Sequence, residues 1–185
     1  MRILIVYGTT EGHTRELVHH AAGLLGEAGR PTAVEPAGAD PNHPDPTNYD
    51  AAVLAASLHV GRYQPALVAY ARAQHEALNA MPSAFISVSL AAAGVNPDDW
   101  EGLEECLARF QHETLWTPKA THHAAGAIRY SQYDFFKRLA IKAIAAKRGK
   151  RTTTSHDYDL TDYNALDRFV LGFGDEAAAA SASRP

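Results

Sequence analysis

Arg2-Ile3-Leu4-Ile5-Val6-Tyr7 runs directly into Gly8-Thr9-Thr10-Glu11-Gly12-His13-Thr14, and this stretch decides the fold. Its first half is an unbroken apolar run of strand length, rich in β-branched residues and without polar alternation. That is the pattern of a strand buried on both faces of a parallel sheet. Gly8 ends it. From Thr14 to Ala28 the apolar residues Leu17, Val18, Ala21, Ala22, Leu24 and Leu25 lie on one stripe at helical spacing, and Gly29 is the stop. Strand, tight polar loop and helix make the first half of a βαβ unit. The loop between them lacks both the Gly-Lys-Thr/Ser of a Walker motif and the three-glycine dinucleotide pattern. Hydroxyls and backbone N–H groups at a helix N-terminus can nonetheless hold a phosphate without a cationic side chain.

Working outward, a second strand is expected at Thr32 to Glu35, then a connector, Pro36 to Asn48, whose breakers leave little room for regular structure. Asp50 to Ser57 and Ser83 to Leu90 read as further buried strands, separated by a helix from about Pro65 to Ala80. A helix follows between Pro97 and Leu115, then a fifth strand within Lys119 to Ile128. Asp162 to Phe173 gives a last amphipathic helix, with Asp162 or Thr161 as its cap. Strands alternating with helices point to an α/β parallel sheet covered on both faces. Residues 1–174 are expected to form a single domain, and the Ala/Ser-rich end, 175–185, a disordered tail.

Composition narrows the function classes. No apolar run approaches the ~20 residues of a membrane span, and the chain goes from Met1-Arg2 straight into a strand, so a cytoplasmic protein is expected. The single cysteine, Cys106, excludes an internal disulfide and any multi-cysteine metal site. The doubled histidines His19-His20 and His122-His123 do not chelate as pairs, because neighbours diverge by about 100° on a helix and face opposite sides on a strand. No metal is expected. The net charge of −4 conceals a block from Lys119 to Arg151 with nine Lys or Arg against Asp134 alone, so that this block is +8 and the remainder −12. Such a block suits an anionic partner. Nucleic acid is disfavoured, because Tyr130, Tyr133, Phe135 and Phe136 cluster at one end and match no nucleic-acid-binding signature.

The loop after the first strand resembles the FMN-phosphate loop of flavodoxins, Thr/Ser-x-Thr-Gly-x-Thr: Thr9, Gly12 and Thr14 match, and Glu11 stands in place of the middle hydroxyl. The resemblance implies a flavodoxin-like doubly wound sheet of five parallel strands in the order 2-1-3-4-5. It implies FMN as cofactor, its phosphate held by Thr9, Thr10, Glu11, Gly12, His13 and Thr14. The flavin ring would be gripped by Ser57, Leu58, His59, Val60 and Gly61 after the third strand and by Ser87, Val88, Ser89, Leu90 and Ala91 after the fourth. Leu58 and His59 stand where flavodoxins often place Trp or Tyr, which leaves the flavin more open to a substrate.

A narrower resemblance rests on Asn48-Tyr49-Asp50, on Ala56-Ser57 followed by Gly61-Arg62-Tyr63, on Asn79-Ala80-Met81-Pro82-Ser83-Ala84-Phe85 and on Gly126-Ala127-Ile128-Arg129-Tyr130. These strings are similar to those of the bacterial quinone-dependent protoporphyrinogen IX dehydrogenase (oxidase) family, the HemG type, over roughly Arg2 to Val170. The family carries an insertion near the fifth strand, where 129–151 stands here. On a helix, Phe135, Phe136, Leu139, Ile141 and Ile144 would form an apolar side flanked by cations, suited to a membrane interface, to a flat anionic ligand or to packing on the domain. The resemblance implies oxidation of protoporphyrinogen IX to protoporphyrin IX in three two-electron steps, with FMN passing the electrons to a membrane quinone. It implies Arg62, Tyr63, Arg129, Tyr130, Lys137 and Arg138 as substrate or membrane contacts, and peripheral attachment to the inner face of the cell membrane. No acid or base is assigned. Two other functions fit the scaffold: a quinone or other small-molecule flavin reductase, and an electron-shuttling flavodoxin. A shuttle docks through acidic surface around its flavin, whereas the basic insert is expected to rim this site.

Overall fold

The computed structural model describes residues 1–38, 44–94, 97–128 and 158–183. The first strand, β1 (Ile3–Gly8), is buried along its whole length, and α1 (His13–Glu27) follows it. Then come β2 (Thr32–Pro36), β3 (Ala51–His59), a short β4 (Arg62–Tyr63), α2 (Pro65–Ala73), α3 (His75–Ala80), β5 (Ser83–Ser89), α4 (Pro97–Thr114) and β6 (Ala120–Ala125). A two-residue pair, β7 (Ala127–Ile128) and β8 (Tyr158–Asp159), precedes the last helix, α5 (Tyr163–Ala182).

The five long strands are parallel and ordered β2-β1-β3-β5-β6, which is the expected 2-1-3-4-5. Successive side chains of β1 face opposite ways, and both sets are apolar. Ile3 and Ile5 join Leu17, Val18, Leu25, Leu166, Val170 and Phe173 beneath α1 and α5. Leu4 and Val6 join Leu67, Tyr70, Leu107 and Phe110 beneath α2 and α4. The second layer carries an aromatic cluster in which Phe85 stacks on Phe110 at 4.8 Å between centroids and Trp116 meets both edge-on. The Trp116 indole N–H donates to Ser83 Oγ at 3.1 Å, so this fully buried ring leaves no donor unpaired.

Three expectations need correction. The helix expected over Pro65 to Ala80 divides at Gln74, where the His75 ring nitrogen Nδ1 sits 2.8 Å from Arg72 O; a side chain bonded to the helix ladder is a standard cause of a break. The connector before Asn48 contains one turn of 3-10 helix, Pro46–Asn48, capped by the Asp45 carboxylate on Thr47 N. The end of the chain is not a disordered tail from residue 175: α5 continues through Ala182. Alanine is the best helix former, and Ala177 is fully buried in the α1–α5 layer, while Asp175 pairs with Arg30. Asp162 caps α5 as expected, accepting from Ala165 N at 3.1 Å.

Candidate functional site

Parallel topology brings every βα loop to one edge of the sheet, and the strand order reverses between β1 and β3. The Thr9–Thr14 stretch lies there. Gly12 adopts a left-handed conformation (φ 88°) and starts α1 without a side-chain cap; a Cβ placed on it would meet nothing within 4 Å. Its N–H bonds back to Thr9 Oγ1 at 3.0 Å, which folds the loop into a tight turn. By helix geometry the first N–H groups of α1 therefore point outward with no partner in the helix. Beneath them Thr14 is wholly buried, and its hydroxyl has no hydrogen-bond partner. A buried orphan hydroxyl beside an uncapped helix N-terminus fits a phosphate: the anion would accept from both and neutralise the positive end of the helix.

Thr10 is exposed and accepts from Gln64 Nε2 at 3.2 Å; the same amide nitrogen reaches Ser57 Oγ, so Gln64 ties the phosphate loop to the end of β3. Glu11 is half-buried in the turn. His13 is drawn elsewhere. Its Nε2 lies 3.0 Å from Thr161 Oγ1 and 3.6 Å from Asp159. Thr161 gives its one proton to Ala125 O at 2.8 Å, so the imidazole must be the donor, and this fixes the tautomer. Asp159 also accepts from Thr161 N and from the Tyr163 hydroxyl, both within 2.9 Å. Burial raises its carboxyl pKa, but these bonds and His13 outweigh it and hold the carboxyl below its ordinary value. The phosphate-loop helix is thereby fastened to β8.

The stretch after β3 is a β-hairpin rather than an open loop. His59 pairs with Arg62 and Leu58 with Tyr63, across the two-residue turn Val60-Gly61. Both turn residues have positive φ, 49° and 73°, the geometry that matches the twist of a two-residue hairpin. Val60 stands fully in solvent at the tip. Leu58 packs against the α2–α4 core instead of standing free to cover a ring. Alternation puts Arg62 outside and Tyr63 inside, and Tyr63 is therefore not available as a substrate contact. It is only 6% exposed, meets Phe85 and Phe110 edge-on near 5 Å, and bonds Ser87 Oγ at 2.9 Å.

Ser87 and Val88 belong to the interior of β5, their side chains buried. The loop that faces outward starts at Ser89, whose hydroxyl accepts from Ala92 N at 3.2 Å and sets the turn Ala91–Ala93. Leu90 and Ala91 lie half-exposed there. Arg129, Tyr130, Lys137 and Arg138 lie outside the described residues. Sequence reading missed Gln64, Asp159 and the bonded role of Thr161. None belongs to a motif, and Asp159 and Thr161 reach the loop only through the fold.

No cluster of His, Cys, Asp or Glu suited to a metal ion occurs among the described residues. Nor is any helix among them long and apolar enough to cross a membrane.

Solved flavodoxins share this architecture. A short-chain flavodoxin associated with a bacterial microcompartment aligns over 96% of this chain and 99% of its own, with TM-score 0.59 and 12% identity. A point mutant of the flavodoxin from Pseudomonas aeruginosa aligns over 80% and 99%, with TM-score 0.51 and 22% identity. At such identities the likeness is one of fold. The sequence relatives say more. The chain is 33% identical over 171 residues to the protoporphyrinogen IX dehydrogenase [quinone] of Escherichia coli K12, covering 92% of this chain and 93% of that protein. It is 30% identical over 172 residues to the Leishmania major protein of the same name, covering 93% and 74%. The flavodoxin domain family matches residues 4–155. With the strand order and these end-to-end matches in agreement, the chain belongs to the flavodoxin domain family and, within it, to the quinone-dependent protoporphyrinogen IX dehydrogenases.

Proposed function

We propose that this protein is an FMN-dependent oxidoreductase that oxidises protoporphyrinogen IX to protoporphyrin IX and delivers the electrons to a quinone. The observation that carries the reading is the 33% identity to an enzyme of that name along nearly the full length of both chains. The phosphate loop agrees with it, since Thr14 and the first turn of α1 offer the donors that an FMN phosphate needs. Bound FMN supplies a two-electron carrier; each of three successive oxidations of the macrocycle is matched by reduction of one quinone to its quinol.

The chain's own part is to bind and to orient. Thr9 and Gly12 shape the phosphate turn, and Thr14 donates to the anion. Gln64 holds that turn against Ser57 at the root of the hairpin. The backbone at His59 to Gly61 and at Ser89 to Ala91 forms the two walls for the ring. The acceptor is a membrane quinone, reached by a peripheral encounter with anionic lipid through the basic residues of 129–151. There Arg129, Tyr130, Lys137 and Arg138 meet lipid phosphates. That part of the reading rests on the charge of the sequence.

The test is anaerobic: load the protein with FMN, add protoporphyrinogen IX, and follow flavin bleaching and porphyrin fluorescence with and without a menaquinone analogue. Flavin bleaching by the substrate, with multiple turnover only when quinone is present, is the expected result. Bound FMN that the porphyrinogen leaves oxidised sinks the reading in favour of another flavin-dependent reductase.

A further inference from the structure

A groove of about 670 Å³ opens between α2, α4 and the β3–β4 hairpin. Its size is that of a small-molecule site. Three arginines border it, each from a different element: Arg62 from the hairpin, Arg72 from α2 and Arg109 from α4. Among the described residues none of the three makes an ion pair, and Arg109 has only a long contact, 3.4 Å, to Gly61 O. Among those residues Glu113 is the one acid on the rim, and His59 adds a further nitrogen. Val68, Ala69 and Phe110 supply an apolar wall, and Thr10 places the opening next to the phosphate loop. In a chain of net charge −4, three such guanidinium groups brought together from three elements are not the solvated face of one helix.

We propose that this groove takes the carboxylate edge of the substrate: a flat, apolar molecule with two carboxylates on one side, gripped by Arg72 and Arg109 with Arg62 at the mouth. The guanidinium fork matches a carboxylate with two parallel hydrogen bonds, and the apolar wall favours an organic body over a bare anion. The assignment rests on the porphyrinogen reading above and deepens it, since it names what selects the free diacid.

The experiment reads binding without turnover. FMN-loaded protein is titrated with deuteroporphyrin IX, a fully oxidised dicarboxylate, and with its dimethyl ester, following porphyrin absorbance and fluorescence. Three proteins are compared: the native chain, Arg72→Gln with Arg109→Gln, and Arg72→Lys with Arg109→Lys. The diacid should bind the native protein about tenfold more tightly than the ester. The glutamine pair should abolish that preference, the lysine pair should keep part of it, and FMN affinity should be unchanged in both. Equal binding of diacid and ester by the native protein, or unaltered diacid binding by the glutamine pair, overturns the groove. The two claims fail separately. Turnover of protoporphyrinogen IX alongside unaltered diacid binding removes the groove and keeps the reaction. An arginine-dependent preference without turnover keeps the groove and removes the reaction.

Discussion

A hydroxyl buried without a partner costs about 1–3 kcal/mol, and Thr14 carries that cost at 0% exposure. Such a penalty persists in a folded chain when another state removes it, here the state with a phosphate bound. Replacing Thr14 by Val should then act with opposite signs in the two states. The apoprotein should melt about 2–4 °C higher, because the orphan is gone. FMN should bind about tenfold more weakly, because a donor to the phosphate is gone. Thr14→Ser should leave FMN affinity near native; calorimetry and flavin fluorescence check both, and a Thr14→Val protein that binds FMN as well as native would refute the assignment. Tyr63 gives the contrasting case. Burial drives its phenol pKa up to about 12, and its hydroxyl serves Ser87. Tyr63→Phe should cost about 1 kcal/mol in urea unfolding by stranding Ser87, with KM for the porphyrinogen unmoved. The tight turn at Thr9–Thr14 between β1 and α1 was legible because its determinants lie within six neighbouring residues. The placement of Tyr63 was not, because it follows from strand alternation in a hairpin whose register the sequence does not state.

At the scale of elements, β1, β3 and β5 were readable to within a residue or two at their starts, since fully buried strands show as continuous apolar runs. The end of α5 was not readable. Alanine and serine suggest too little burial to order a tail, yet alanine is the best helix former and Ala177 is fully buried in the α1–α5 layer. Deleting residues 175–185 should therefore lower the melting temperature of the apoprotein by several degrees, through loss of the Ala177 contact and the Arg30–Asp175 pair. An unchanged melting curve would mean that the last turns of α5 add nothing. The hairpin tip invites the reverse change. Val60 is a β-branched residue held at φ 49°, a conformation that costs such residues about 1–2 kcal/mol. Val60→Asn should raise the melting temperature by about 2–4 °C, as thermal unfolding will show.

Over the whole molecule, the sheet places His122 and His123 on opposite faces, one in each core layer. His122 stacks on Phe169 of α5 with centroids 5.1 Å apart. His123 meets Trp100 of α4 edge-on at 5.9 Å, and its Nε2 stands 3.4 Å from Glu104 without hydrogen-bond geometry. Burial lowers the pKa of both below the ordinary 6.5; Glu104 and Asp162 only partly restore them. The unfolded chain therefore takes up protons near pH 6.5 that the folded chain refuses, so stability is full above that pH and falls as the pH drops below it. The difference in melting temperature between pH 7.5 and pH 5.5 should shrink in a His122→Phe, His123→Phe protein; an unchanged difference would place the acid sensitivity elsewhere. The sequence pointed to surface or packing histidines but not to which rings they meet, because each acquires its surroundings from helices elsewhere in the sequence.

The pairing of Ala127 with Asp159 and of Ile128 with Tyr158 has an evolutionary meaning. It clasps together the residues on either side of 129–157, and His13 with Thr161 pins that clasp to α1. Because the residues flanking it are held to each other and to the domain, the stretch 129–157 can change in length or composition while the sheet stays the same. Selection can thus retune how such an enzyme meets its surroundings without touching the nucleotide cradle, and a protein engineer can exchange the segment as a cassette.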